Sequence, residues 1–120
     1  EVMGTPGSAM GVRFTLDGAS FFALNGGPMY QFTPAVSFQI ACADQAEVDH
    51  YWAGLTAGGG EPGQCGWLKD RFGLSWQVIP QEMGRYLGGP DAAGAARAQQ
   101  AMLSMGKLNI EDLRRAYEGE

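Results

Sequence analysis

Few side chains in this sequence suit metal or nucleophilic chemistry, and their spacing narrows the choice. The cysteines are Cys42 and Cys65, with no C-x-x-C pair, and His50 is the single histidine. A zinc site of thiolates and imidazoles therefore cannot be assembled within one chain. His50 lies in Asp49-His50-Tyr51-Trp52, where no neighbour in sequence offers an oriented partner for acid–base work, so a surface place on a helix is expected. The glycine run Gly58-Gly59-Gly60 follows a helical pattern and not a strand. It reads as a helix stop, not as a loop that holds a nucleotide cofactor such as adenosyl methionine. The richest stretch is Gln64 to Pro80, QCGWLKDRFGLSWQVIP, in which the amide of Gln77 sits among aromatic and β-branched residues.

The elements that must position these groups follow from periodicity. Gln64 to Lys69 and Leu74 to Pro80 flank Asp70-Arg71-Phe72-Gly73, a turn-like tetrapeptide, and predict a β-hairpin. Upstream, Met10 to Leu16 reads as a strand with Val12, Phe14 and Leu16 on one face and Arg13 and Thr15 on the other. Asp17-Gly18 is a hairpin turn signal, after which Ala19 to Asn25 returns and stops at Gly26-Gly27-Pro28. Met29 to Pro34 is a loop. Ala35 to Ala41 is a third strand, with Val36, Phe38 and Ile40 opposite a polar face that carries Ser37 and Gln39. Asp44 and Glu47 have capping-box spacing, and Val48, Tyr51, Trp52 and Leu55 recur at helical spacing, so a helix runs from about Gln45 to Ala57. Helices are expected again over Gln81 to Leu87, over Ala92 to Met105 with Asp91 as cap, and over Ile110 to Glu118 with Asn109 as N-cap. The whole predicts an α+β fold: five strands and one buried helix in the core, then a helical tail.

Length and charge bound the remaining choices. A chain of 120 residues, 45% hydrophobic, can bury a core as one domain. Thirteen acidic residues against eight basic ones give a net charge of −5, which repels phosphate backbones and anionic lipid. Nucleic acid and membrane are therefore not expected partners. No run approaches the roughly 18 apolar residues of a membrane span, and Glu1 to Gly11 lacks the pattern of a signal peptide, so the cytoplasm is the expected location and reduced cysteines the expected state.

The element order, with FFALNGGPMYQFTPAVSFQIA, QCGWLKDRFGLSWQVIP and the tail motif QAMLSMGKLNIEDLRRAY, resembles the vicinal oxygen chelate superfamily, the glyoxalase, bleomycin-resistance and dioxygenase fold of bacterial and other proteins. More narrowly it is similar to the PhnB-like branch, often labelled 3-demethylubiquinone-9 3-methyltransferase. The resemblance covers nearly the whole chain. It implies paired βαβββ modules whose curled mixed sheets enclose a cavity: residues 1–34 a partial first module, 35–80 a complete second one with a short extra strand within Gly58 to Gly63, and 81–120 a helical tail. The first module is expected to lack its opening strand and helix. Nine residues precede Met10, fewer than the about 10 to 12 that a helix alone requires. An upstream segment or a partner chain would then complete the sheet, and a homodimer is implied.

Active members of that superfamily hold a divalent metal with ligands from the first and last strands of each module. The last-strand pattern resembles Asp-x-x-Gly-x-x-x-Glu, and here it reads Asp70 to Gln77, with Gln77 in the glutamate's place. The first-strand histidine falls near Ala35 or Ser37, and in the first module Asn25 is the only donor. Asn25, Gln39 and Gln77 are neutral amides that do not make a zinc or iron site, so no metal or other cofactor is expected unless ligands come from outside this segment. The cavity candidates are Arg13, Thr15, Asn25, Gln39, Cys65, Trp67, Ser75 and Gln77, a set that suits a small planar or polar molecule bound without chemistry. The alternative is a metal-dependent lyase, isomerase or dioxygenase-type enzyme completed by an upstream segment or partner subunit. Gln39 and Gln77 either serve a ligand or hydrogen-bond each other or water. Trp67 and Trp76 either stack on a ligand or pack in the core, and Cys65 is either reactive or a small buried hydrophobe.

Overall fold

The computed structural model describes residues 1–120. The chain divides into two compact units, Glu1–Gln31 and Phe32–Glu120. The first is an antiparallel sheet of β1 (Val2–Thr5), β2 (Ser8–Leu16) and β3 (Ala19–Leu24), in that spatial order. A strand thus occupies residues to which the sequence reading gave no element. It pairs with β2 through a turn at Pro6-Gly7, where Gly7 has φ +81°. Asp17 and Gly18 both have positive φ, the conformation that a tight hairpin of matching twist requires. Phe14 stacks on its cross-strand partner Phe21, and Arg13 lies over the ring of Phe22. This unit contributes no residue to either hydrophobic core. Val2, Met10, Phe22, Leu24, Met29 and Tyr30 are all exposed, Leu24 at 69% and Tyr30 at 87%.

The second unit begins with β4 (Ser37–Cys42), α1 (Gln45–Thr56), β5 (Glu61–Pro62), β6 (Trp67–Lys69) and β7 (Ser75–Pro80). Its mixed sheet has the order β4-β7-β6-β5, with β4 parallel to β7 and the other pairs antiparallel; neither sheet of the protein closes on itself. A parallel pair needs a long crossover, which α1 supplies. Cys42, Val48, Leu68 and Val78 are buried between sheet and helix, with Ile40, Trp52, Leu55 and Trp76 packed against them. Asp44 caps α1 by accepting from the Glu47 amide at 2.9 Å, while Glu47 accepts in return from Ala43 N. Tyr51, expected in the core, is instead exposed beside His50.

Two strands are shorter than the sequence pattern predicts. Ala35 and Val36 belong to a turn in which Val36 N donates to Thr33 O, so Val36 is exposed. Cys65 and Gly66 have φ +56° and +84°, which no strand accommodates, so β6 starts only at Trp67.

The tail folds as α2 (Met83–Leu87), α3 (Ala92–Leu103) and α4 (Ile110–Glu118) around Tyr86, Ala98 and Leu113. Asn109 caps α4 as expected, accepting from Asp112 N. Asp91 stands at the start of α3, but its side chain makes no cap hydrogen bond and instead lies 3.9 Å from Arg97. The tail docks on its own chain. Cys65 N donates to Met105 O, Gly66 N to Gly106 O, and Leu108 is fully buried. Gln45 clasps the linker from both sides, donating to Leu108 O at 3.0 Å and accepting from Ile110 N at 2.8 Å.

Gly66 is the tightest point of that docking. A Cβ there would stand 2.9 Å from Leu108 Cδ1 and 3.0 Å from Val78 O. Gly73 has a similar φ of +88° but open space around it. Gly66→Ala should therefore lower stability by more than about 1 kcal/mol beyond the cost of Gly73→Ala, measured by urea denaturation; equal costs would remove the steric account. Beside the same linker, Asp49 accepts from Lys107 at 2.8 Å and from Gln45 at 3.0 Å, and these two bonds hold its carboxyl below the usual value of 3.8. A lowered folded-state value stabilises above the unfolded value and is lost as pH falls through the folded one. Asp49→Asn should thus flatten the acid side of the stability–pH curve below about pH 4 and leave its shape at neutral pH unchanged.

Candidate functional site

Strand alternation gives the mixed sheet two unlike faces. Phe38, Ile40, Trp76, Val78 and Leu68 lie on the α1 side, so Ser37 and Gln39 of β4, Gln77 and Ile79 of β7, and Trp67 and Lys69 of β6 lie on the other. The register sets Gln39 opposite Gln77 and Gln77 opposite Trp67, so three neighbouring strands present amide, amide and indole in one row about 10 Å wide. Gln77 Nε2 donates to Ser37 Oγ at 2.8 Å. The amides thus do not pair with each other, one of the two readings open in the sequence. Gln77 Oε1, the Ser37 hydroxyl hydrogen and the whole Gln39 amide have no partner in the chain. Gln39 is exposed, Ser37, Trp67 and Gln77 are half-buried, and Ser75 is buried in register with Ser37.

The β6–β7 hairpin that carries two of these residues is knotted by Asp70, a role the sequence reading did not assign. Asp70 Oδ1 accepts from Phe72 N and Leu74 N at 2.9 and 3.0 Å, and Oδ2 accepts from the Trp76 indole at 2.9 Å. The signal was present: an aspartate opening a turn whose following strand carries a tryptophan. The indole bond turns Trp76 toward the helix side, where it meets Phe38 edge-on at 5.3 Å. Trp76 therefore packs, while Trp67 stays available on the open face.

Arg13 and Asn25 belong to the other unit. Arg13 lies 5.5 Å over Phe22 and 3.6 Å from Glu1, and Asn25 Nδ2 donates to Ala9 O at 3.2 Å. Thr15 pairs in register with Ser20. Cys65 is half-buried and pinned to the tail by its backbone. Burial, followed by the charges of Glu47 and Asp44, pushes the Cys42 thiol above its usual value, so at neutral pH it behaves as a packed hydrophobe. A cleft of about 370 Å³, unforeseen in the sequence, opens between the end of α1 and the hairpin turn, lined by Gly54, Leu55, Ala57, Gly58, Asp70, Arg71 and Phe72.

The donor set does not fit a transition-metal centre. No three His, Cys, Asp or Glu side chains converge, and the amide oxygens of Gln39 and Gln77 are neutral, hard donors that a zinc or iron centre does not favour. A methyl donor of the adenosyl type is equally unaccommodated by the glycine run: Gly58-Gly59-Gly60 joins α1 to β5, the reverse of the strand-to-helix order that such loops use.

Loss of the Asp70 knot leaves three donors to water or unpaired. Asp70→Ala should cost about 1–3 kcal/mol and shift Trp76 fluorescence, read by thermal and urea unfolding. An unchanged stability would show that the turn is held by its backbone alone.

Comparison with known proteins follows this geometry. No curated protein matches the chain. A solved structure from Bacillus cereus, described provisionally as a 3-demethylubiquinone-9 3-methyltransferase, PhnB protein, is similar at 28% sequence identity with a TM-score of 0.56. The match covers 62% of this chain and 66% of that one. The family model for 3-demethylubiquinone-9 3-methyltransferase matches residues 1–79, which take in both sheets and α1 and end at the last strand of the row. With about two thirds of its length matched, this chain belongs to the 3-demethylubiquinone-9 3-methyltransferase family.

Proposed function

We propose that this chain binds a small planar, polar molecule on the Gln39–Gln77–Trp67 row of its mixed sheet, as a binding or sequestering protein that needs no metal. The observation that carries this reading is a half-buried indole in register beside Gln77, whose carbonyl oxygen is unused by the chain, with the unpaired Gln39 amide next to it. The scaffold is of the glyoxalase and bleomycin-resistance type, within the vicinal oxygen chelate superfamily, whose cavity-lining sheets suit that task. Methyl transfer, the reaction in the family's name, gains no support from the glycine run or from an acid–base pair on this face.

The protein acts as a homodimer. Six or more large apolar side chains exposed within Glu1–Gln31, on a sheet with two free edges, support cover by a second copy. Sedimentation equilibrium should return about twice 12.8 kDa, and Leu24→Lys should weaken the association; a strict monomer overturns the dimer.

Binding is tested by titrating the labelled protein with planar phenols, quinones and aromatic amides in amide-resolved NMR. Shifts should concentrate at residues 37–39, 67–69 and 75–77, and Gln77→Leu should weaken binding about tenfold, the loss of roughly one hydrogen bond. Shifts scattered elsewhere, or one equivalent of zinc, nickel or iron in the purified protein by elemental analysis, would contradict the reading.

A further inference from the structure

The row has a definite hydrogen-bonding sense, and from it we infer the class of ligand: an uncharged group that carries a carbonyl oxygen and an N–H side by side, as a primary amide, lactam or ureide does, attached to a planar ring. This inference rests on the binding reading above and narrows it.

The argument starts from the 2.8 Å bond in which Gln77 Nε2 donates to Ser37 Oγ. A hydroxyl that accepts in this way keeps its own hydrogen for another acceptor, and the Gln77 carbonyl oxygen is left to receive a donor. Neither has a second partner in the chain. The face therefore offers two donors, the Ser37 O–H and the second Gln77 Nε2–H, beside one acceptor, Gln77 Oε1, on adjacent strands. A ligand amide satisfies donor and acceptor at once, its carbonyl oxygen receiving the Ser37 hydrogen and its N–H meeting Gln77 Oε1. Gln39, in register with Gln77 and unpaired, adds a further donor and acceptor of the same neutral kind. Trp67, in register on the far side of Gln77, supplies the surface on which the ring lies.

A carboxylate fits badly. It carries only acceptors, so it gives Gln77 Oε1 no donor, and any oxygen set against that carbonyl is repelled in a half-buried place. The nearest cation on this face is Lys69, whose cross-strand register partner is Glu61, and the chain as a whole carries −5. Lys69 is exposed, where solvent screening lets it compensate little of the anion's lost hydration.

The test uses pairs of probes that share a ring and differ only at this group: benzamide against benzoate, and nicotinamide against nicotinate, each titrated at pH 7 into the full chain and followed at residues 37–39, 67–69 and 75–77. The amides should bind about tenfold more tightly than the acids, in line with the cost of an unpaired polar group. Ser37→Ala releases the Gln77 NH₂ and removes the hydroxyl donor. It should narrow that ratio to about threefold or less, while the remaining resonances keep their native dispersion. Acids that bind as tightly as the amides, with shifts on the same row, overturn the ligand class and leave the binding reading standing. Failure of all four probes and of the phenols and quinones to move the row overturns both.

Discussion

The parallel pairing of β4 with β7 is the constraint on which the rest of this protein depends. Side chains alternate with a period of two, so one register decides both faces of the sheet. Here it sends Ile40 and Val78 together into the core and brings Gln39 and Gln77 together on the open side. A slip of one residue would drive amides under α1, at about 1–3 kcal/mol for each one left unpaired, and would expose Val78 and Ile40. The apolar core therefore locks the polar row in place. α1 makes the pairing possible as its crossover, and Asp70 holds β6 against β7 so that the indole of Trp67 completes the row.

The two units differ in what stabilises them. Phe32–Glu120 has a core on each side of a shared linker, with Leu108 fully buried and the Gln45 amide tying α1 to the tail. Glu1–Gln31 has ladder hydrogen bonds and cross-strand pairs such as Phe14–Phe21, contributions of roughly 0.2–1 kcal/mol each, and no buried apolar cluster. A three-stranded sheet of this kind, without a buried apolar face, has little to stabilise it by itself. The tail lies beyond the family match and docks on its own chain through Met105, Gly106 and Leu108.

Much of this was legible in the residues. The hairpin around Asp70-Arg71-Phe72-Gly73, the Asp17-Gly18 turn, the capped helix after Asp44 and the Asn109 cap are local signals, and local chemistry decided them. The reading went astray where tertiary contacts overrode local preference. Cys65 and Gly66 look like strand residues, but tail carbonyls hold their amides in a left-handed turn. Tyr51 has core spacing yet sits at the edge of what the short sheet covers. Val2–Thr5 was missed because four residues broken by glycine carry almost no pattern, and only pairing with β2 makes them a strand. For the site, Gln39, Trp67 and Gln77 were singled out together. Their order across the sheet was not legible, because register between β4 and β7 is set across a 12-residue helix. The Ser37 contact was hidden for the same reason, and Arg13 and Asn25, from the same list, belong to the other unit.

The Gln77 amide, whose nitrogen donates to the Ser37 hydroxyl, gives this face a neutral donor–acceptor edge. The most direct measurement is a crystal structure grown with benzamide. The account predicts the ring over Trp67, the carbonyl oxygen within hydrogen-bonding distance of Ser37 Oγ and the amide nitrogen against Gln77 Oε1. A metal bound at Gln77, or benzamide ordered elsewhere with the row bare, would contradict it.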